Sequence, residues 1–327
     1  MILPASRRAL IRALGTAALA PAHFARAQTA YPSKPVRMVV PFPPGGTTDF
    51  VTRLVAQELS KTFGQPLVVE NRPGAGTVIG VDAVAKAAPD GHAFVTVANS
   101  FTVNHTLVKK LPYDTLRDLR PVALLAVSEH VLVVNPQLPA LDAREFVALA
   151  RAQPGRLAYA SFGNGTSAHL AGEMLKIVAG VDLVHVPYKG QAPALADVIG
   201  GQVAAIFANL PEVHPQIQAG RVRALGLAAP ARSRFAPEIP TLAEQGFAGI
   251  ESNSWFGLLA PVRTPDDVVT RVNAEVNRVL ALPATREAFE KAGITSLARS
   301  PQAFGEFLQA EIGRYAEVIR RAGITLE

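Results

Sequence analysis

Residues 38–50 have the sequence MVVPFPPGGTTDF, in which an apolar run gives way to prolines, two glycines, two threonines and an aspartate. The apolar run predicts a buried strand, and the residues from Thr47 onward predict a helix. The prolines stiffen the connection, whereas Gly45 and Gly46 let the backbone bend and let a ligand come close. Because the free N–H groups of a helix's first turn carry partial positive charge, we predict a small-anion site where this loop enters the helix.

The first turn of this helix holds three polar side chains with different possible roles. Thr47 or Thr48 could cap the helix through a hydroxyl oxygen. Asp49 could simply stabilise the helix dipole, an effect of about 0.3–1 kcal/mol. Alternatively, the Asp49 carboxylate could accept a hydrogen bond from an amine or hydroxyl of a ligand, or from ordered water. Both interpretations of Asp49 stay open at this point.

The chain alternates between strand and helix patterns up to residue 228 and is mainly helical beyond it. Strands are predicted at 36–41, 66–71, 93–99, 131–136, 156–161 and 222–230. Helices are predicted at 47–64, 77–88, 143–153, 265–281 and 301–323, with Gly64 as a C-cap and Asp142 as an N-cap. This alternation predicts an α/β fold with a mainly parallel sheet flanked by helices, whose ligands bind at the carboxyl ends of strands.

A second segment, AYASFGNGTSAH at residues 158–169, repeats the pattern of strand, phenylalanine, glycine-rich loop and helix. It lies about 120 residues after the first, and two such corners would form opposite sides of a cleft. Thr166 or Ser167 could instead be a plain helix cap, and His169 could be a packing or capping histidine. We therefore treat this segment as the second half of one ligand site.

Three further candidates stand at or near the ends of predicted strands. Tyr188 could close over a ligand and Lys189 could balance a carboxylate, although a strand-end tyrosine and a solvated lysine explain both residues equally well. Asn209 follows another strand, where its amide could meet the ligand. Trp255, the only tryptophan, suits core or hinge packing or the wall of the cleft.

Most classes of catalytic and cofactor site are disfavoured by what the sequence contains. With no cysteine, disulfides, thiolate metal sites and cysteine nucleophiles are excluded. The segment ENRPGAGTVIG at 70–80 resembles a dinucleotide-binding loop, but the next strand ends in Asn99 and Ser100 instead of an acid. The sequence has no phosphate-binding P-loop, no histidine metal spacing and no serine-hydrolase elbow, and Ser167 and His169 point apart on a helix. We expect no catalytic residue, no metal and no cofactor.

The N-terminal segment 1–27 combines arginines, a short apolar run and a final Ala-Arg-Ala, the pattern of a cleaved secretory signal. It also fits a twin-arginine export signal, so the export route stays open. Its four arginines account for most of the formal charge of +6, because their removal leaves 28 basic against 26 acidic residues. The charge therefore gives no argument for nucleic acid binding, and we expect a soluble periplasmic protein.

Seven segments occur in the order YPSKPVRMVVPFPPGGTTD, VVENRPGAG, AVAKAAPDG, KKLPYD, SFGNGTSAH, HVPYKGQAPALADVIGGQV and SWFGLLAP. Together they resemble the substrate-binding proteins of tripartite tricarboxylate transporters, the Bug or TctC-like family. The resemblance implies a two-lobed, flytrap periplasmic binding protein of type II. The chain would then cross twice between lobes, so that 28–127 and 228–327 form one lobe and 128–227 the other.

The resemblance also implies that loop backbone groups and bridging waters from both lobes hold a carboxylate ligand. The residues that match are Phe42, Gly46, Thr47, Thr48, Asp49, Ser161, Gly165, Thr166, Ser167 and His169. The residue-level reasoning adds Gly45, Tyr188 and Asn209 to this candidate ligand site. Two positions depart from the family pattern: Ala208 stands where an acid is common and Phe101 stands near the place of a histidine. We expect both departures to remove polar groups near the mouth of the cleft.

These expectations describe a non-catalytic, monomeric receptor for a small organic acid, which is a di- or tricarboxylate, an amino acid or an aromatic acid. Hinge closure would bury the ligand, and the closed form would dock onto membrane permease subunits. Two alternatives stay open. One is an exported sensor that docks onto a signalling partner, and the other is an exported enzyme that uses the same cleft.

Overall fold

The computed structural model describes residues 31–325, so the predicted signal segment 1–27 lies outside the described residues. Within them, ten strands and ten α-helices follow one another along the chain. The strands are β1 (Val36–Val40), β2 (Leu67–Asn71), β3 (Ala93–Val97), β4 (Leu119–Val134), β5 (Ala158–Ser161), β6 (Val184–Pro187), β7 (Ala205–Asn209), β8 (Arg223–Leu227), β9 (Asn253–Pro261) and β10 (Thr295–Ser296). The helices are α1 (Thr47–Phe63), α2 (Val78–Ala85), α3 (Ser100–Leu107), α4 (Ala143–Ala152), α5 (Ser167–Ala179), α6 (Gln191–Ile199), α7 (Leu210–Gln218), α8 (Asp266–Ala281), α9 (Pro283–Lys291) and α10 (Pro301–Ala322).

The strands form one hydrogen-bonded series in the order β2-β1-β3-β9-β4-β7-β5-β6, with β8 and β10 also paired to β4. Strands β1, β2 and β3 pair in parallel, and so do β5, β6 and β7. Every pairing of β4 and β9 is antiparallel. The predicted α/β class is confirmed, with parallel pairs towards both edges and antiparallel pairs in the middle.

Strand β4 is 16 residues long and belongs to both groups of strands. Its first part, from Leu119 to Glu129, pairs with β9, and its last part, from His130 to Val134, pairs with β7. Only the last part was predicted from the sequence. Two register shifts in the first part, which begins close to Pro121, interrupt the strict alternation that marks a strand. The proposed lobe boundaries near 127 and 228 stay a prediction.

Two predicted helix caps are confirmed. Gly64 ends α1 in the left-handed conformation, with φ of 64°, and its N–H donates to the Ser60 carbonyl. The Asp142 side chain accepts a hydrogen bond from the Glu145 N–H at the start of α4. The predicted cap of α1 by Thr47 or Thr48 is wrong, because the N-cap is Gly46 and has no side chain to offer.

The sheet is packed between helices, and buried aromatic side chains fill the two faces. Trp255 lies in the core beside β1, β3 and β9, where its Nε1–H donates to Glu311 Oε2 at 3.0 Å. Phe101 lies in the same core and stacks on Tyr113 with ring centroids 6.4 Å apart. Ala208 is fully buried in the second core, around β4, β5 and β7.

These positions correct our expectation for Ala208 and Phe101. Neither residue lines the cavity described below, because strand alternation turns Ala208 away from the face that Asn209 presents. Phe101 projects from α3 into the core. Both residues therefore lie in the packed cores and not at the mouth of the cleft.

Candidate functional site

The two glycine-rich corners predicted from the sequence face one cavity. It holds about 560 Å³ of space not occupied by protein, counted together with its opening to solvent. Its wall comes from the loops after β1 and β5, the first turns of α1, α5, α6 and α7, and parts of α3 and β9. The residues that line it include Phe42, Gly46, Thr47, Thr48, Thr166, Ser167, Gln191, Asn209, Glu212 and Ser254.

The N-terminus of α1 is already in contact with a carboxylate of the protein itself. Glu212 Oε1 accepts hydrogen bonds from the Thr47 N–H at 2.9 Å and from Thr47 Oγ1 at 2.7 Å. Burial raises the pKa of Glu212, and the donors of Thr47 together with the Asn209 side-chain amide oppose that rise by favouring the charged form. In this structure the N–H and the hydroxyl of Thr47, at the predicted anion corner, therefore donate to the carboxyl group of Glu212.

Asp49 does not line the cavity and instead stabilises the loop that leads into α1. Its Oδ2 accepts from the Gly45 N–H at 3.0 Å and from Arg53 Nε at 2.9 Å, and its Oδ1 accepts from Asn71 Nδ2 at 2.9 Å. Burial raises the pKa of this carboxyl, but the three donors outweigh burial and hold the pKa below its ordinary value. Gly45, with φ of 87°, supplies the left-handed turn that brings its N–H to Asp49.

The second corner places a hydroxyl group at the floor of the cavity, beside that of Ser254 and in front of a buried histidine of β4 that does not itself line the cavity. Ser167 Oγ lies 3.2 Å from Ser254 Oγ and 3.4 Å from His130 Nε2. His130 Nδ1 contacts Ser252 Oγ at 3.0 Å, on the side where a serine hydrolase would place a carboxylate. Burial lowers the pKa of His130 to about 3, so this imidazole is a weak base at neutral pH. The cluster is suited to hydrogen bonding and unsuited to activating a serine.

Three other predicted residues of this corner shape the loop and do not line the cavity. Ser161 Oγ contacts the Gly163 carbonyl at 3.1 Å and His185 Nε2 at 2.7 Å. The Gly165 N–H donates to His169 Nδ1 at 3.2 Å. A Cβ at Gly165, whose φ is 72°, would lie 3.1 Å from Asn104 Oδ1, so the position suits only glycine.

His169 faces a separate surface groove, where it stacks on His185 with ring centroids 3.9 Å apart. Burial lowers the pKa of His169 to about 4, assisted by Lys176, and lowers that of His185 to about 3. Tyr188 lies at a neighbouring opening together with Lys189, and its hydroxyl donates to Asp197 Oδ2 at 2.6 Å. Neither His169 nor Tyr188 reaches the cavity between the corners.

Asn209 does line the cavity, and its backbone is held by Gln191. The Asn209 N–H donates to Gln191 Oε1 at 2.8 Å, and Gln191 Nε2 donates to the Asn209 carbonyl at 3.4 Å. Asn209 is only 5% exposed, and its Oδ1 has no close hydrogen-bond partner among the described residues, although its side chain lies near enough to His130 to oppose the lowering of the pKa of that histidine. A buried acceptor in this situation requires a donor from a ligand or from water.

Residues 31–325 contain neither a candidate metal site nor a candidate membrane-spanning helix. No group of three or more histidine, cysteine or acidic residues in this range could hold a metal ion. No helix in the same range is long and apolar enough to cross a membrane.

Comparison with known proteins gives the family. The family model of the tripartite tricarboxylate transporter family receptor, TctC, matches residues 51–324. The chain belongs to this family. It is similar to Protein BugT of Bordetella pertussis, with 39% identity over 299 residues that cover 91% of this chain and 92% of the relative.

Two solved structures of similar proteins carry carboxylate ligands. The structure of R. palustris Rpa4515 with adipate is 35% identical, has a TM-score of 0.86, and covers 90% of this chain and 99% of its own. MatC from Rhodopseudomonas palustris with bound malate is 34% identical, has a TM-score of 0.83, and covers 88% of this chain and 100% of its own. The predicted periplasmic binding protein fold is thereby confirmed for this TctC-family chain.

The sequence reasoning missed several residues that line the cavity of this TctC-family protein, above all Glu212 and Gln191. Both stand in the first turn of a helix, which is where ligand-facing polar groups of an α/β fold collect. Glu212 follows Asn209, a residue that was predicted, by three positions. An acid so close to the carboxyl end of β7 was the available signal.

Proposed function

We propose that this TctC-family protein is a periplasmic receptor that binds a small organic carboxylate in the cavity between its two corners. The observation that carries the proposal is the cavity itself, into which the first turns of α1 and α5 both open. A helix N-terminus favours a negative charge within its first turn, and the N-terminus of α5 suits a ligand carboxylate because no acid among the described residues of the cavity wall is bonded to it, whereas Thr47 of α1 donates to Glu212. The adipate and malate complexes of similar proteins support the same ligand class.

The proposal includes delivery of the ligand to the membrane subunits of a tripartite permease, which family membership supports. We further propose export by segment 1–27 and a monomeric receptor whose lobes, 28–127 with 228–327 and 128–227, close around the ligand. The pairing of the two parts of β4 with different strands supports this division. No catalytic step is proposed, because burial of His130 leaves the nearby serines without an effective base.

Thermal unfolding against a panel of carboxylates, amino acids and aromatic acids tests the receptor proposal. A ligand at 100 times its dissociation constant adds roughly 2.7 kcal/mol to the free energy of unfolding, which shifts the midpoint by about a few degrees for a chain of this size. The protein is first unfolded, dialysed and refolded to remove ligand carried through purification. A flat panel from such folded, ligand-free protein contradicts the proposal.

A further inference from the structure

The cavity has an unusual charge for a carboxylate site. Among the described residues that line it, Glu212 is the only one with an ionisable side chain, and it is an acid. No lysine, arginine or histidine of residues 31–325 lines the cavity to balance a bound anion. A ligand with two carboxylates would therefore bring its full charge into a site that already holds one negative group.

Glu212 also takes two of the donors that a ligand carboxylate would use at the first corner. Both the N–H and the hydroxyl of Thr47 donate to the same oxygen of Glu212. Two carboxylates sharing such a partly buried site repel each other strongly, because the local dielectric is low. The N-terminus of α5 has no such acid beside it among the described lining residues, and the Thr166 side chain makes no capping hydrogen bond to the helix, so this end of the cavity is the better position for a ligand carboxylate.

Asn209 adds an acceptor beside this acid. Its Oδ1 is buried without a close partner among the described residues, and its side-chain amide lies close enough to Glu212 to favour the charged carboxylate. Two neighbouring acceptors are complementary to a group that only donates. A protonated amine offers three N–H donors and no acceptor, and its positive charge is opposite to the charge of the Glu212 carboxylate.

We propose, on the basis of the receptor function above, that Glu212 sets the ligand class. The ligand is a zwitterion with one carboxylate and one protonated amine, an amino carboxylate, and it is preferred over di- and tricarboxylates. Its ammonium group lies against Glu212 and Asn209, and its carboxylate lies at Thr166 and Ser167. Glu212 thus takes the place that a second ligand carboxylate would otherwise occupy at Thr47.

Isothermal titration of the ligand-free protein with matched acids tests the inference. Each α- or ω-amino acid is compared with the acid that lacks the amine and with the dicarboxylate of equal chain length. We expect binding to be confined to the amino member of a set, and removal of its amine to weaken binding by about thirtyfold or more. This comparison within a set uses only the unmodified protein, so it does not depend on the folding of a variant.

A charge-removing variant provides the second arm. Glu212→Gln keeps the size of the side chain and removes its charge. We expect this variant to bind the amino acid about thirtyfold more weakly, and we expect the difference in affinity between the amino acid and the matched dicarboxylate to become smaller. Glu251→Gln is the control, because Glu251 is exposed and does not line the cavity. We expect it to bind as the unmodified protein does.

The outcomes separate this inference from the proposed function. A dicarboxylate that binds the unmodified protein better than its amino counterpart overturns the role of Glu212 and leaves the receptor function intact. The same holds if Glu212→Gln, shown to be folded by circular dichroism, keeps the full preference for the amine. A panel with no binder at all contradicts the receptor function itself.

Discussion

Glu212 and Thr47 are 165 positions apart in the chain, yet a single oxygen of Glu212 accepts both the backbone and the side-chain donor of Thr47. This contact joins the first turn of α7 to the first turn of α1. It gives the N-terminus of α1 the acceptor that its own N-cap glycine cannot supply. The N–H of Thr47, one of the free donors of the first turn of α1, is therefore bonded without a ligand.

Thr47→Val tests how much this contact stabilises the fold. The variant keeps the N–H donor and loses the hydroxyl, so the partly buried Glu212 carboxyl loses one of the two hydrogen bonds that it accepts from Thr47. We expect the free energy of unfolding in urea to fall by about 1–2 kcal/mol. Thr270→Val, at an exposed position of α8, is the control and should change it by less than about 0.5 kcal/mol. Equal effects of the two variants would contradict a stabilising role for the contact.

Asp49→Asn distinguishes the two interpretations of Asp49. If the carboxylate holds Gly45, Arg53 and Asn71 together, the variant should lose about 2–3 kcal/mol. If Asp49 acts only on the helix dipole, the loss should be about 0.3–1 kcal/mol. Asp267→Asn is the matched control, because Asp267 is an exposed acid in the first turn of α8.

The lowered pKa of Asp49 also fixes a pH dependence with a definite sign. The unfolded state binds the proton more readily than the folded state, so the stability from Asp49 is present above the ordinary aspartate pKa of 3.8. It is lost as the pH falls through the folded value. Urea unfolding at a series of pH values below 5 should show a shallower acid loss for Asp49→Asn than for the unmodified protein. An unchanged slope would show that Asp49 is not the group responsible.

The stacked pair of His169 and His185 predicts a loss of stability at a higher pH than the loss that depends on Asp49. Burial keeps His169 neutral, with a folded pKa of about 4 against an ordinary value of 6.5. Its stabilisation is fully present above about pH 6.5 and is lost as the pH falls towards 4, by about 1–2 kcal/mol at pH 5. Lys176 and the facing His185 oppose protonation, whereas Glu173 acts in the other direction at His185.

Unfolding free energies of His169→Gln at pH 7.5 and pH 5.0 check this prediction. We expect the difference between the two pH values to be smaller in the variant by about 1–2 kcal/mol. His105→Gln is the control, because His105 is exposed and should keep the pH dependence of the unmodified protein. A difference that is the same in both variants would exclude His169 as the acid-sensitive group.

Two helical glycines provide opposite predictions for the same substitution. A Cβ at Gly172 in α5 would lie 2.1 Å from the ring of Tyr159, whereas a Cβ at Gly313 in α10 would meet nothing within 4 Å. Gly172→Ala should therefore destabilise the protein by about 1–3 kcal/mol. Gly313→Ala should stabilise it by about 0.5–1 kcal/mol, because alanine loses less backbone entropy in a helix. Thermal unfolding of both variants shows whether steric packing of the added Cβ or helix propensity dominates the change in stability at each site.

Features held together by local contacts were predictable from the sequence. The caps of Gly64 and Asp142 depend on hydrogen bonds that span three or four residues, so a short window contains all the information. The loops of both corners were predictable for the same reason. Their glycines and hydroxyl residues are adjacent in sequence, and several of these residues line the cavity.

Features that depend on distant partners were not predictable. In the sequence Thr47 has the features of a capping residue, but in the structure it donates to Glu212. In the sequence Asp49 could contact a ligand, but in the structure its carboxylate accepts hydrogen bonds from Asn71 and Arg53. The first part of β4 was missed because its bulges are accommodated by pairing with β9, more than a hundred residues later. Which predicted side chains face a ligand and which ones shape a loop was therefore decided by tertiary packing.

The position of β9 has a consequence for the order of synthesis. This strand lies between β3 and β4, but a growing chain completes those two strands by residue 134 and reaches β9 only at residue 253. Until then β3 and β4 each present an edge of unpaired N–H and C=O groups. A chain truncated before β9 should remain non-native and prone to aggregate. A full-length chain cannot complete its sheet early either, because the position between β3 and β4 stays empty until β9 has been synthesised. The last quarter of the polypeptide thus determines when β3 and β4 can become native.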